Sequence, residues 1–134
     1  MKKPKTLLRD IFGFDELRPG QREIIDAVSS KKNVLAIMPT GGGKSLCFQL
    51  PALMSDGLTV VISPLIALIR DQVRGLQAAG VAAGALTSGN TEDETDAVFS
   101  EILKRFVGVF SGMRRPFLKI LMIWRSIQSI SFFW

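Results

Sequence analysis

The sequence predicts an α/β fold in which an open parallel sheet carries helices on both faces. Apolar runs at 34–38, 58–62 and 81–86 have the length and the uniformly apolar character of strands buried on both sides. Amphipathic helical segments separate these runs, and such alternation is typical of parallel sheets. Because ligands bind beyond the carboxyl ends of parallel strands, the segments that follow the three runs are the first candidates for a site.

Two short helices precede the first run. Residues 6–12 carry apolar side chains on one face, with Thr6 as the N-cap and Gly13 as the residue that ends the helix. A second helix begins with Pro19 in its first turn and extends to about residue 29. The polar residues 31–33 then lead into the first strand.

The remaining helices follow the runs in turn. The helix after the first run contains Pro51, which we expect to kink or end it because proline has no N–H to donate. After the second run, Ser63 supplies an N-cap and Pro64 a first-turn proline for a long helix. After the third, Thr91 and Glu94 have the spacing of a capping box that begins the next helix.

The segment between the first run and its helix has the layout of a phosphate-binding loop. Three consecutive glycines, 41–43, let main-chain N–H groups approach phosphate oxygens closely, and the next helix directs its N-terminal donors at the same group. Lys44 can neutralise the β- and γ-phosphates, and the Ser45 hydroxyl is the usual ligand of Mg²⁺. A glycine-rich turn with a chance lysine is the alternative. The flanking strand and helix favour a nucleotide site.

Composition limits other interpretations. The chain of 134 residues has the length of one domain. Its hydrophobic content of 47% and mean hydropathy of +0.27 suggest that some apolar surface stays uncovered. The net charge of +5 arises after Glu101, since the chain up to that residue has 11 basic and 12 acidic residues and the remainder has six basic and none acidic. Basicity therefore does not indicate nucleic-acid binding by the organised part.

The cysteine and histidine content argues against disulfide and zinc sites. Cys47 is the one cysteine and histidine is absent; Cys47 itself is interpreted as a small core residue. Arg9 and Asp10 interrupt the first apolar stretch, so it does not form the core of a signal peptide. We therefore expect a cytoplasmic location.

Several stretches together resemble RecQ-family ATP-dependent DNA helicases. They lie at 12–25, with Phe-Gly-Phe and Leu-Arg-Pro-Gly-Gln, at 38–53 around the glycines, at 61–73 around Ser-Pro-Leu, and at 86–88. Many helicase-type loops have a residue other than glycine where this chain has Met38. The resemblance, which covers about residues 7–98, implies a P-loop, RecA-like motor domain that is incomplete here. It also implies ATP and Mg²⁺ as cofactors and a parent activity of duplex unwinding in recombination and repair.

The resemblance also implies roles for individual residues. Gln21 would hydrogen-bond adenine, Phe14 would stack on its ring where the family often has tyrosine, and Arg18 would lie beside the nucleotide. Taken alone, Gln21 fits a solvated helix residue, and its combination with Arg18, Pro19 and Gly20 favours the nucleotide. Lys44 is the candidate catalytic residue and Ser45 the candidate Mg²⁺ ligand. The cofactor-binding set is Phe14, Arg18, Gln21, Thr40, Gly41, Gly42, Gly43, Lys44 and Ser45.

By the same resemblance, Ser63, Pro64 and Thr87 would contact single-stranded or forked DNA, weakly in this chain. An ordinary capped helix predicts the same residues at 63 and 64, so both interpretations stay open. Arg70 and Arg74 on the following helix fit a solvated face equally well.

The resemblance ends before the chain does. We assign residues 1–105 to the N-terminal part of a helicase ATP-binding domain and 106–134 to an aberrant basic, apolar tail, in which 117–121 could still form the next strand of the family. The family's Asp-Glu-Ala-His strand and its second motor domain do not follow, so we expect a truncated, inactive form. Three interpretations of this tail are possible. Lys119 and Arg125 interrupt the apolar run that a transmembrane helix would need. The other two are a basic amphipathic surface for membrane or nucleic acid and out-of-frame translation, and we favour out-of-frame translation.

Two other functions remain as alternatives to the helicase. One is a non-catalytic nucleotide-binding remnant, and the other is a small P-loop phosphotransferase. Hydrolysis of ATP stimulated by single-stranded DNA would distinguish the helicase from the remnant. Phosphate transfer to a small acceptor without DNA would identify the phosphotransferase. The sequence leaves the oligomeric state open.

Overall fold

The computed structural model describes residues 4–39, 41, 43–111 and 120–124. The chain forms two compact units, Met1–Gly57 and Leu58–Trp134. The first unit holds the helices α1 (Pro4–Phe12), α2 (Gln21–Ser29) and α3 (Lys44–Met54). The second holds β1 (Thr59–Ser63), α4 (Ile66–Ala78), β2 (Ala83–Leu86), α5 (Glu92–Ser111) and β3 (Ile120–Trp124).

The first unit is a helical cluster in which α3 packs against both α1 and α2. Its core consists of the buried apolar side chains Leu7, Leu8, Ile25, Leu46 and Leu50. Full burial of an aliphatic side chain of this size contributes about 1.5–3 kcal/mol, so this cluster fixes how the three helices meet. The apolar face predicted for α1 is therefore the one that packs, and α2 contributes Ile25 to the same core.

The predicted helix ends in this unit are partly wrong. Because α1 begins at Pro4, Thr6 lies inside the helix and is not its N-cap; a proline suits the first turn, where its missing N–H would have no helical partner. Pro51 does not end α3, which continues to Met54, and the alternative that Pro51 kinks the helix stays a prediction. Leu50 and Ala52 on either side of Pro51 are buried with it, and their packing offsets the helical hydrogen bond that proline cannot make.

The strand predicted at 34–38 does not form. The structure assigns no strand to these residues, and Leu35 and Ile37 are 89% and 91% exposed. A β-branched apolar run favours a strand only where a neighbouring strand offers hydrogen bonds and a packing surface, and the sheet pairings among the described residues do not include this segment. Together with exposed apolar residues in the second unit, it accounts for the uncovered surface that the composition predicted.

The second unit is built on three parallel strands in the order β1-β3-β2. The strands predicted at 58–62 and 81–86 form as β1 and β2, each shifted or shortened by one or two residues. Helix α4 packs on β2 and β3 through the buried side chains Ile69, Val73 and Leu76. The fold prediction is thus met in part, and the placement of helices on both faces stays a prediction.

Burial on both sides, which the sequence predicted for the second run, is wrong for β1. Val60 and Ile62 are 50% and 62% exposed, and their neighbours along the strand are half-buried. One face of β1 is therefore covered and the other open. The uniform apolar character of the run did not distinguish the two faces, because both carry β-branched residues.

The ends of α4 and α5 test the predicted caps. Helix α4 begins at Ile66 with Leu65 as its N-cap, so Ser63 and Pro64 are neither its cap nor its first-turn proline. Ser63 is instead the last residue of β1. The capping box at the start of α5 is confirmed: the Thr91 N–H donates to Glu94 Oε2 at 2.8 Å, and the Glu94 N–H donates to Thr91 Oγ1 at 3.2 Å.

Strand β3 lies inside the segment 106–134 and occupies the middle of the sheet. It overlaps the strand predicted at 117–121, whose first three residues lie outside the described part of the chain. Ile120 and Met122 are fully buried between the neighbouring elements. The domain boundary after residue 105 and the out-of-frame origin of the tail stay predictions. Across the residues that the structure describes, no helix is both long enough and apolar enough to cross a membrane.

Candidate nucleotide and DNA sites

The glycine-rich loop enters α3 through backbone conformations that favour glycine. Gly41 and Gly43 have φ angles of +79° and +75°, and Gly43 is the N-cap residue of α3. Thr40 and Gly42, two further members of the predicted cofactor-binding set, lie outside the described residues. The N-cap residue Gly43 has no side chain to cap the helix, so the N-terminus of α3 is suited to present main-chain donors to an anion.

Lys44 and Ser45 form the first turn of α3. Lys44 is exposed and Ser45 is half-buried, which places a cation and a hydroxyl beside the positive end of the helix dipole. The part of the chain that the structure describes has no cluster of three or more metal-binding side chains. A hydroxyl is nevertheless a suitable single protein ligand for Mg²⁺, which keeps several waters and takes its other oxygens from phosphates.

Arg18 reaches the loop from the segment between α1 and α2. Its Nη1 atom donates to the carbonyl oxygen of Gly41 at 2.7 Å. The two residues are 23 positions apart in sequence. The family resemblance implies that Arg18 lies beside the nucleotide, and in the structure its guanidinium donates to the backbone of the glycine-rich loop.

Gln21 links the same segment to the end of the loop. Its Nε2 atom donates to the carbonyl oxygen of Gly43 at 3.0 Å, and its Oε1 atom accepts from the N–H of Arg18 at 2.8 Å. The side chain is 2% exposed, so Gln21 is not the solvated residue that it resembles when taken alone. A Cβ atom on Gly43 would collide with Nε2. Glycine is therefore required at 43 by its φ angle and by the approach of Gln21.

Phe14 follows the end of α1, where Gly13 adopts a φ angle of +70°. The Phe14 N–H donates to the carbonyl oxygen of Leu8 at 3.3 Å, and the side chain is 49% exposed. A half-exposed aromatic ring leaves one face available for stacking. The structure thus leaves Phe14 accessible, as a stacking role requires.

Cys47 lies one helical turn after Gly43 and is buried. Its Sγ atom is 3.8 Å from the carbonyl oxygen of Gly43 and 3.9 Å from Sδ of Met38. Burial raises the pKa of the Cys47 thiol above its ordinary value of 9.0. The thiol therefore stays protonated at neutral pH, consistent with its interpretation as a core residue.

The residues predicted to bind DNA lie at the carboxyl ends of two strands in the second unit. Ser63 ends β1 and Thr87 follows β2, and both strands run parallel to β3 between them. Carboxyl ends of parallel strands lie at the same edge, and two strand spacings separate the outer strands by about 10 Å. Pro64 is exposed directly after β1. The structure therefore groups the three residues at the edge where ligands bind in parallel sheets.

Asn90 is a residue that the sequence did not single out. Its Nδ2 atom donates to the carbonyl oxygen of Ala85 at 2.7 Å, and its Oδ1 atom accepts from Thr87 Oγ1 at 2.7 Å. Arg70, for which the sequence left a DNA contact and a solvated face equally open, donates from Nη2 to the carbonyl oxygen of Gly89 at 3.1 Å. These bonds fix the turn after β2. The Asn and Gly in that turn indicate a loop, but not which side chains hold it.

Comparison with known proteins gives consistent matches. A family model described as DEAD/DEAH box helicase matches residues 18–133, which includes most of the segment 106–134. ATP-dependent DNA helicase Q1 of Rattus norvegicus is 46% identical over 103 residues, covering 77% of this chain and 17% of the rat protein. ATP-dependent DNA helicase RecQ of Haemophilus influenzae is 46% identical over 105 residues, with the same coverage of 77% and 17%. RecQ of Bacillus subtilis is 46% identical over 118 residues, covering 87% of this chain and 19% of the relative. The chain thus spans less than a fifth of the length of these relatives.

Proposed function

Because this chain belongs to the DEAD/DEAH box helicase family, we propose that it is the ATP-binding part of a RecQ-like, ATP-dependent DNA helicase. The RecQ resemblance found in the sequence is confirmed by the relatives named RecQ and Q1. The family implies a RecA-like P-loop fold. In the longer protein, ATP bound at this site would drive duplex unwinding in recombination and repair.

One observation carries the proposal: two side chains hold the carbonyl groups of the glycine-rich loop. Arg18 donates to the carbonyl oxygen of Gly41, and Gln21 donates to the carbonyl oxygen of Gly43. Carbonyl oxygens would repel a phosphate, and donors bound to them reduce that repulsion. The main-chain N–H groups at the start of α3 are then the backbone atoms that a triphosphate would meet.

The residues of the loop fit a bound nucleotide and metal. Lys44 would neutralise the β- and γ-phosphates, and Ser45 would hold Mg²⁺ through its hydroxyl, with Thr40 and Gly42 completing the loop. A Mg²⁺ ion held by Ser45 would supply positive charge that offsets the negative charge of the phosphates. Lys44 acts on the same charge from the helix side, which is the basis of its catalytic assignment.

Adenine recognition would use Gln21 and Phe14. The bond to Gly43 uses one of the two amide hydrogens of Gln21, and the bond from Arg18 uses one of the two lone pairs of its carbonyl oxygen. The amide can therefore keep both bonds and still donate to and accept from adenine. Since Gln21 is 2% exposed, this contact requires a local opening of the segment around it. Phe14 would supply the stacking face.

Single-stranded or forked DNA is the proposed macromolecular partner. Ser63, Pro64 and Thr87 lie at one sheet edge, where hydroxyl and main-chain donors can hold backbone phosphates. The Thr87 hydroxyl donates to Asn90 Oδ1, so Thr87 would act through the turn that it shapes, and its hydroxyl would have to leave Asn90 before it could donate to a phosphate oxygen. A cytoplasmic location is part of the proposal.

Nucleotide binding by the full chain tests the site. Lys44→Ala removes a charge-assisted contact of about 1.5–3 kcal/mol, which corresponds to a roughly 10- to 100-fold rise in the Kd for Mg-ATP. Lys32→Ala is the matched control, since Lys32 is an exposed lysine of the same unit that the proposal leaves outside the site. Equal Kd values for Lys44→Ala and the wild type would refute the assignment. Base recognition is tested by measuring the Kd for ATP and for GTP with the wild type and with Gln21→Ala. The variant should lose the preference for ATP.

A nucleotide-binding remnant without turnover is the second candidate. It is favoured by residues 34–38, which lie outside the sheet although they lead into the loop. Hydrolysis of ATP that rises on addition of single-stranded DNA would support a working motor and exclude the remnant. Phosphate transfer to a small acceptor without DNA would exclude both in favour of a phosphotransferase.

A further inference from the structure

The turn after β2 is held together by hydrogen bonds among its own residues. The Asn90 N–H donates to the carbonyl oxygen of Thr87 at 3.1 Å, which closes a four-residue turn with Ser88 and Gly89 at its centre. The Gly89 N–H donates to Thr87 Oγ1 at 3.3 Å. These residues all belong to the second unit and follow the carboxyl end of β2, where the DNA site is proposed.

Asn90 uses both ends of its side-chain amide in this turn. Its Oδ1 atom accepts from the Thr87 N–H at 3.3 Å and from Thr87 Oγ1 at 2.7 Å, and its Nδ2 atom donates to the carbonyl oxygen of Ala85 at 2.7 Å. A backbone N–H can only donate and a backbone carbonyl can only accept, so these partners fix the orientation of the amide. Asn90 therefore joins the end of β2 to the turn.

The hydrogen of the Thr87 hydroxyl is engaged inside the turn. A hydroxyl has one hydrogen, and that of Thr87 is donated to Asn90, while the Thr87 oxygen accepts from the Gly89 N–H. A bond from this hydroxyl to a DNA phosphate would therefore break the bond to Asn90. Ser88 carries a second hydroxyl and is exposed at the centre of the same turn.

Arg70 holds the turn from helix α4. Its Nη2 atom donates to the carbonyl oxygen of Gly89 at 3.1 Å, and a Cβ atom on Gly89 would collide with that nitrogen. The turn is thus fixed both by its own residues and by a residue 19 positions away in sequence. A segment that is already ordered loses less conformational entropy when it binds a ligand.

We propose that Asn90 is a positioning residue of the DNA site. It keeps the Thr87 hydroxyl inside the turn, and the turn held in this shape presents the Ser88 hydroxyl to a backbone phosphate of single-stranded DNA. Serine hydroxyls commonly make such phosphate contacts. The inference rests on the proposed function and assigns Thr87 a supporting role in it, with Ser88 as the residue that touches DNA.

The direction of one effect separates support from direct contact. Asn90→Ala frees the Thr87 hydroxyl, so a direct contact by Thr87 predicts unchanged or tighter binding of single-stranded DNA. Positioning by Asn90 predicts a rise in Kd of about tenfold, the equivalent of one net hydrogen bond. The Kd is measured with the full chain by fluorescence anisotropy of a labelled single-stranded oligonucleotide. Asn33→Ala, which changes an exposed asparagine of the first unit, is the matched control and should bind like the wild type.

Variants of Thr87 test whether Asn90 acts through it. Thr87→Val keeps the shape of the side chain but loses the hydroxyl, and it should weaken DNA binding as much as Asn90→Ala. Thr87→Ser keeps the hydroxyl and should bind close to the wild type. Because both substitutions break the same bond, the double variant of Thr87→Val and Asn90→Ala should lose about as much affinity as either single variant.

Amide hydrogen exchange without DNA separates positioning from contact. The Gly89 N–H should exchange faster in Asn90→Ala than in the wild type, because the turn that protects it is no longer held. Ser88→Ala should leave this exchange rate unchanged and still weaken DNA binding. The Kd for Mg-ATP should stay at the wild-type value in both variants, since neither residue belongs to the nucleotide site.

Four results would overturn the inference. Equal or tighter DNA binding by Asn90→Ala excludes positioning and leaves the proposed DNA site in place. Losses that multiply in the double variant show that Asn90 does not act through Thr87, and wild-type affinity in Ser88→Ala removes the proposed contact. A parallel loss of Mg-ATP affinity in Asn90→Ala assigns the effect to the fold as a whole. A wild-type chain that does not bind single-stranded DNA refutes the DNA site and this inference together, whereas Lys44→Ala tests the nucleotide site independently.

Discussion

The bond between Gln21 and Gly43 predicts a measurable loss of stability when Gln21 is truncated. Gln21→Ala removes a donor to the Gly43 carbonyl and an acceptor for the Arg18 N–H, at 3.0 Å and 2.8 Å. Each bond contributes about 1 kcal/mol net, and the buried methylene lost with them about 0.8 kcal/mol. The free energy of unfolding should therefore fall by about 3 kcal/mol.

Gln21→Glu separates the donor from the rest of the side chain. The variant keeps the shape and the acceptor for the Arg18 N–H, but at neutral pH it places a carboxylate oxygen against the Gly43 carbonyl oxygen. Repulsion and burial should raise the folded-state pKa of the new carboxyl above its unfolded value of about 4.3. When protonated, the carboxyl can donate to Gly43. Its stabilising contribution is thus fully present below pH of about 4.3 and is lost as pH rises through the higher folded-state pKa.

Urea denaturation monitored by circular dichroism, repeated from pH 4 to pH 8, measures both effects. The difference between wild type and Gln21→Glu should be small at the acid end and largest at neutral pH. Arg22→Ala, at an exposed position of the same helix, is the control and should show no pH-dependent difference. A Gln21→Glu variant as stable as the wild type at pH 7 would refute the donor role, and so would a pH-independent difference.

Three further variants test other contacts. Gly41 and Gly43 have similar φ angles, but a Cβ atom meets Gln21 only at position 43; Gly43→Ala should therefore lose more stability and more Mg-ATP affinity than Gly41→Ala, and equal losses in both variants would argue against the close approach. Because burial raises the pKa of the Cys47 thiol above 9.0, the stabilising contribution of the protonated thiol is present below pH 9 and is lost as pH rises through the higher folded-state pKa. Cys47→Ala should lack this loss of stability at alkaline pH in thermal unfolding. If the variant loses as much stability as the wild type, other groups cause the loss. Thr91→Ala removes the capping box of α5 and should cost about 0.5–2 kcal/mol in urea denaturation; no change would show that the box contributes nothing.

The features that the sequence predicted best are those set by neighbouring residues. The capping box of Thr91 and Glu94 depends on two side chains three positions apart and the N–H groups they reach, so its spacing is sufficient to identify it. The glycines at 41 and 43 are likewise tied to positive φ angles, which few other residues adopt. Local chemistry of this kind can be read without knowing the rest of the fold.

The features that were predicted wrongly from the sequence depend on residues far away along the chain. Residues 34–38 have the composition of a strand, but a strand also needs a neighbour to pair with, and composition does not specify one. Pro51 is a helix breaker by its own chemistry, and it remains inside α3 because the residues around it are buried against other helices. The central position of β3, far along the chain from β1, is also a long-range property.

The contacts of Arg18 and Gln21 show why a correct site residue can be predicted without its partner. Both were selected by resemblance as nucleotide contacts, whereas the side-chain N–H groups of both donate to loop carbonyls 22 or 23 residues away. Every residue offers such a carbonyl, so spacing cannot identify which one is used. Alanine variants at either position would weaken nucleotide binding whether the side chain touches the nucleotide or only supports the loop. The pH profile of Gln21→Glu without nucleotide reports the loop contact alone, and comparison of ATP with GTP reports the base contact.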